Sequence, residues 1–138
     1  MSDKIMTYED RIIEINDDFI NQCYSNIEKY GDKTITIERF YGGFMVITKS
    51  ETRGIDIKNI ADILMIKVNY PEYVEEKLKN NNYSYIMWNE SDNDKYISKL
   101  NELGYDIIII FSYHSDMKIC HIIIDTYMPN IKDDTVYI

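Results

Sequence analysis

The stretch Ile107-Ile108-Ile109-Ile110-Phe111 limits most strongly what this chain can become. Isoleucine is branched at Cβ and favours extended backbone, and successive side chains of a strand point to opposite faces. An unbroken apolar run therefore asks for cover on both sides at once. It is also too short for a buried helix. The expectation is a strand at the centre of a sheet, with helices packed against both faces.

The surrounding sequence supplies the rest of such a fold. Ser91 and Asp94 open a helix carrying Tyr96, Ile97, Leu100 and Leu103, which Gly104 ends, and Tyr83 to Trp88 before it looks extended. Strand, helix, strand from Tyr83 to Phe111 is a βαβ pattern, for which parallel strands and a right-handed crossover are expected. Upstream, Thr7 to Tyr30 sets Ile12, Ile15, Phe19, Ile20, Cys23 and Ile27 at helical spacing, and Gly31 can take the left-handed conformation that stops a helix. Thr34 to Ile37, Gly42-Gly43 and Phe44 to Ile47 read as a β-hairpin. Asp56 caps a short helix whose Ile57, Ile60, Ala61 and Leu64 share a face and which stops near Met65. Pro71 begins another short helix that ends at Asn80-Asn81-Asn82, and Met117 to Thr126, with Ile122 to Ile124, is a last strand. The fold class is thus α/β, a mixed sheet of about five or six strands flanked by three or four helices. Residues 1–138 are read as one domain, without repeat or linker, with a polar tail from 131 in which Val136-Tyr137-Ile138 could dock.

Composition narrows the function classes. With 24 acidic against 15 basic residues the net charge is −9, an electrostatic handicap on DNA or RNA that reads more simply as solubility. The prominence of Ile, Asn, Lys and Tyr points to a source genome low in G+C. Cys23 and Cys120 fit neither a disulfide framework nor a CxxC motif, and no apolar run reaches membrane length, so a soluble protein in the reducing cytoplasm is expected. There is no phosphate-binding loop, nucleophile elbow or HExxH, so neither an enzyme nor a cofactor is expected. Asp92 and Asp94 read as helix-start acids. Cys120 and His121, adjacent on a strand, point apart and make no metal site with the other histidine, His114. The 13 tyrosines and single tryptophan exceed the needs of one core. Tyr85 and Trp88 read as packed, whereas Tyr113, Tyr127 and Tyr137, near expected loops or the tail, are open to either an interface or plain exposure.

A family resemblance adds to this. Tyr30-Gly31-Asp32-Lys33-Thr34-Ile35, leaving a helix and leading into Phe40-Tyr41, resembles the opening of the N-terminal, mismatch-recognition domain of MutS, where a Gly-Lys-Thr-like stretch precedes a Gly-x-Phe-Tyr-Glu signature. Asp56 to Ile66 is similar to that family's Asp-Ala-x-x-x-Ser-x-x-Leu-x-Ile helix. Lys95 to Leu100 with Gly104-Tyr105 resembles its Tyr-Ile-x-Lys-Leu and Gly-Tyr pieces, and Tyr127-Met128-Pro129-Asn130 stands where it has Thr-Pro-Gly. The resemblance spans about residues 8–130, and its entry is similar to MutS proteins of large DNA viruses of protists.

The resemblance implies a domain that reads mismatched DNA by stacking an aromatic on the base, with a Glu two residues later hydrogen-bonding it. Phe40 holds the aromatic position, but Gly42 replaces the Glu and Glu38 the preceding Gly, which would bring a negative charge towards phosphate. Phe111-Ser112 replaces a Glu-Gln, and Met87-Trp88-Asn89 a Gly-Phe-Pro. The expectation is therefore a non-catalytic interaction module, a MutS domain I-like fold that binds a protein partner or a protein–nucleic-acid assembly, with weak direct binding to nucleic acid. Its working edge is expected at Arg39, Phe40, Tyr41 and Phe44. The alternative is a small DNA-binding protein that recognises mismatched or distorted duplex through Phe40.

Overall fold

The computed structural model describes residues 8–40, 42–49, 56–66, 83–115 and 118–131. Its elements, in chain order, are α1 (Tyr8–Tyr30), β1 (Thr34–Phe40), β2 (Gly43–Lys49), α2 (Ile57–Leu64), β3 (Tyr83–Asn89), α3 (Asn93–Glu102), β4 (Asp106–Ser115) and β5 (Lys118–Tyr127), with a 3-10 turn over Glu90–Asp92 leading into α3. The five described strands form one mixed sheet in the order β3-β2-β1-β4-β5. β1 and β4 run parallel and the other neighbours antiparallel. The fold is α/β, as the sequence implies. The helix expected after Pro71 and the tail beyond Ile131 lie outside the described residues.

Each element follows from local chemistry. Along α1, Phe19, Ile20, Cys23 and Ile27 recur every three or four residues and are all buried. Gly31 ends the helix at φ +118, where its amide donates to the Ile27 carbonyl at 2.8 Å. The β1–β2 hairpin closes on the pair Phe40↔Gly43, with Gly42 at φ +63. Gly43, expected in the turn, is instead the first residue of β2. Asp56 caps α2 by accepting hydrogen bonds from the amides of Lys58 and Asn59 at 3.0 and 3.3 Å, and Ile57, Ile60, Ala61 and Leu64 form its buried face.

Strand alternation sorts the core into two layers. Ile35, Ile37, Phe44, Val46, Ile86, Trp88, Ile107 and Ile109 meet α2 and α3 on one face, while Ile47, Tyr83, Ile108 and Ile110 meet α1 on the other. The Ile107 run is thus covered on both sides. It is an interior strand, although β1 rather than β4 holds the middle place. β3 and β4 point the same way but are not neighbours, because β2 and β1 lie between them. The α3 start departs from expectation in one detail. Asp92 makes no side-chain capping bond, because the chain arrives through a 3-10 turn, and Asp94 alone sits in the first helical turn.

Candidate interaction surface

At the end of β1 the structure brings two of the four expected edge residues together. Arg39 lies over the Phe44 ring, 5.7 Å from its centroid, and pairs with the Glu90 carboxylate at 2.9 Å. The Glu90 amide also donates to the Gly42 carbonyl at 2.9 Å, fastening the hairpin turn to the start of the α3 segment. Phe44 is not a surface anchor. It is 4% exposed and stacks near Trp88, which is fixed by an edge-on contact to Tyr96 and by a hydrogen bond from its Nε1 to Asn93 Oδ1 at 3.1 Å. Tyr41 and the Phe40 side chain lie outside the description.

Beside this corner is a shallow cleft of about 240 Å³, where Arg39 is the one basic lining residue among the carboxylates of Glu90, Asp94 and Asp125. Tyr127 donates its hydroxyl to Asp125 at 2.8 Å, and that bond, with partial burial and the nearby charge, raises the Tyr127 pKa. The cleft repels phosphate by its net charge.

Glu38 corrects an expectation. Instead of facing DNA it is buried under α1, because it shares the strand parity of Thr34 and Thr36 on that side of β1. Burial pushes its carboxyl up to about 7, with a hydrogen bond from Ser112 opposing the shift, and one carboxyl oxygen has no partner. Ser112 lies directly across from His121, 2.9 Å from its Nδ1, and His121 Nε2 meets the Asp18 carboxylate of α1. Ser112 thus stands between Glu38 and His121, and its single hydroxyl proton can serve only one of them at a time. Sequence gave no warning of this chain, since Asp18 and His121 are 103 residues apart.

The exposed apolar surface lies elsewhere. β1 pairs with β4 only as far as Glu38↔Ile110, after which β4 and β5 continue as a two-stranded arm. Phe111 and Tyr113, stacked with centroids 6.2 Å apart, are 40% and 38% exposed, and Ile122, Ile123 and Ile124 are 51%, 60% and 38% exposed. The register of β5 shifts opposite Ile109 and Ile110, so Ile124 is an extra residue. Beyond that bulge Asp125 and Tyr127 share a face with Phe111, Tyr113, Cys120 and Ile122. Sequence reading placed Tyr113 near a loop and took the isoleucine triplet as ordinary strand. No local signal marked this exposure, which follows from β5 lying at the edge of the sheet formed by the described strands.

No family model matches the sequence, and no match was found among curated proteins. Among the described residues, no helix is long and apolar enough to cross a membrane.

Proposed function

We propose that this chain is a non-catalytic module that binds a protein partner through the β4–β5 arm. The observation that carries this reading is the apolar arm itself, where Phe111, Tyr113 and Ile122 to Ile124 are all at least 38% exposed. Contiguous exposed apolar surface is a recurrent mark of interaction sites, and aromatic residues dominate binding energy when desolvated. The hairpin corner at Arg39 is a weaker platform, because Phe44 is committed to the core and Arg39 to Glu90. A MutS domain I-like origin is compatible with the mixed α/β sheet and rests on the residues quoted for it.

The test is affinity purification from the native source with the wild-type chain and with Phe111→Ser. A partner recovered by the first and lost by the second, at equal melting temperature, supports the arm. Retention by the variant sinks it. A titration with matched and mismatched duplex at physiological salt should give weak binding without preference. Mismatch preference above about tenfold, abolished by Phe40→Ala, would establish the DNA-reading alternative.

A further inference from the structure

We infer that the arm's partner is a second copy of this chain, docked face to face about a two-fold axis that passes beside Ile122. This inference rests on the reading of the arm as the binding surface and names its occupant. The face in question is the one opposite α1, carrying Phe111 and Tyr113 from β4 and Lys118, Cys120, Ile122 and Asp125 from β5. An isologous contact requires a surface that complements its own rotated image. This face does so by charge. Lys118 stands at one end of β5, Asp125 at the other and Ile122 between them, so stacking two arms antiparallel sets each Lys118 against the other copy's Asp125. The exposed rings of Phe111 and Tyr113 then fill the flanks of the isoleucine contact. Lys118 makes no ion pair with another described residue, so its ammonium is available. Asp125 already accepts from the Tyr127 hydroxyl and the Thr126 amide, which hold the carboxylate in place.

The apolar strip supplies the attraction and the charges set the orientation, since exposed ion pairs contribute little by themselves. Ile107 and Ile109 lie under the helices, so the free face runs only from the level of Asp125 to the tip, roughly 20 Å by 10 Å. Its projected area, about 200 Å² per copy, is far below the ~800 Å² of a standard interface, so the dimer should be weak and dependent on concentration. A bulge and terminal charges on β5 are the usual means of discouraging open-ended edge pairing, which leaves the closed, face-on contact as the favoured association.

Sedimentation equilibrium on the full chain, over a concentration series reaching hundreds of micromolar, tests this directly. A monomer–dimer equilibrium is expected, with no larger species. Ile122→Asp should abolish it at unchanged melting temperature. Lys118→Asp and Asp125→Lys, each placing like charges together twice, should each weaken it about tenfold, and the double reversal should restore it to within about twofold. A chain that stays monomeric throughout overturns the proposal. So does a dimer indifferent to both the charge reversals and Ile122→Asp. The purification with Phe111→Ser reads the arm separately, so a monomeric wild type that still loses a bound protein on that substitution ends the dimer while leaving the arm as a binding surface.

Discussion

Ile107–Ile110 and Phe111–Ser115 are successive halves of one strand, yet no residue of the first is more than 2% exposed, whereas Phe111 and Tyr113 of the second are 40% and 38% exposed. The difference does not lie in β4 itself. It arises where β1 stops accompanying it, at Ile110, so that no described strand but β5 continues alongside. Within the sheet the apolar residues are stabilised by helices on both faces; beyond it they lie open for another surface to bury. One strand is therefore packed in the core at its start and exposed at its end.

The largest effect should come from the inner half. Ile109→Ala removes a buried side chain in contact with the α2–α3 layer and should cost about 2–5 kcal/mol, measurable as a lowered urea midpoint. If the cost were below 1 kcal/mol, the two halves of β4 would not differ in kind.

Next comes Glu38, which pairs with Ile110 at the point where the halves meet. Its carboxyl ionises at about 7 in the folded chain against an ordinary value of 4.5. Between those values the folded state holds a proton that the unfolded state has released, so stability falls as pH rises through this window. The full penalty is reached above pH 7 and amounts to roughly 3 kcal/mol. Below pH 4.5 both states are protonated and it vanishes. Glu38→Gln should remove this slope, so melting temperatures of the variant should change less than the wild type's between pH 5 and 8. Parallel profiles would show that the carboxyl is not the source.

The sheet's inner part was legible in the sequence because unbroken isoleucine and the 3.6-residue spacing of Phe19, Ile20, Cys23 and Ile27 report burial directly. Ile122 to Ile124 carry the same signal and mislead, since exposure depends on which strand lies at the edge, a property of sheet order that no local pattern encodes. Glu38 was misread for a related reason. A single charge on a strand shows its parity but not which face a helix will cover. The link from Asp18 through His121 to Ser112 is wholly tertiary.

That link is also the arm's polar tie to α1. Asp18→Asn weakens the acceptor for His121 Nε2 while keeping the side chain's size, and should cost about 1 kcal/mol or less in global stability. Amide hydrogen exchange should nonetheless quicken in residues 119–123 while β1 stays protected, because sub-global opening follows local support. Uniform acceleration across the sheet would mean that arm and core unfold together.

The smallest effect is expected in the arm, at its first exposed ring, and it separates the halves most cleanly. Phe111 is as apolar as its neighbours, and a reading of β4 as one continuous core strand would predict a loss of several kcal/mol on truncation. Its ring, however, is 40% exposed and its stacking partner Tyr113 is itself exposed, so less surface is withdrawn from water than at a core position when the chain folds alone. Phe111→Ser should therefore cost no more than about 1 kcal/mol, well below Ile109→Ala. Binding of a fluorescent apolar dye should fall in the same variant, because the patch that would capture it has lost its largest ring. A fall in stability comparable to that of Ile109→Ala would place Phe111 in the core and remove the basis for treating the arm as a separate surface.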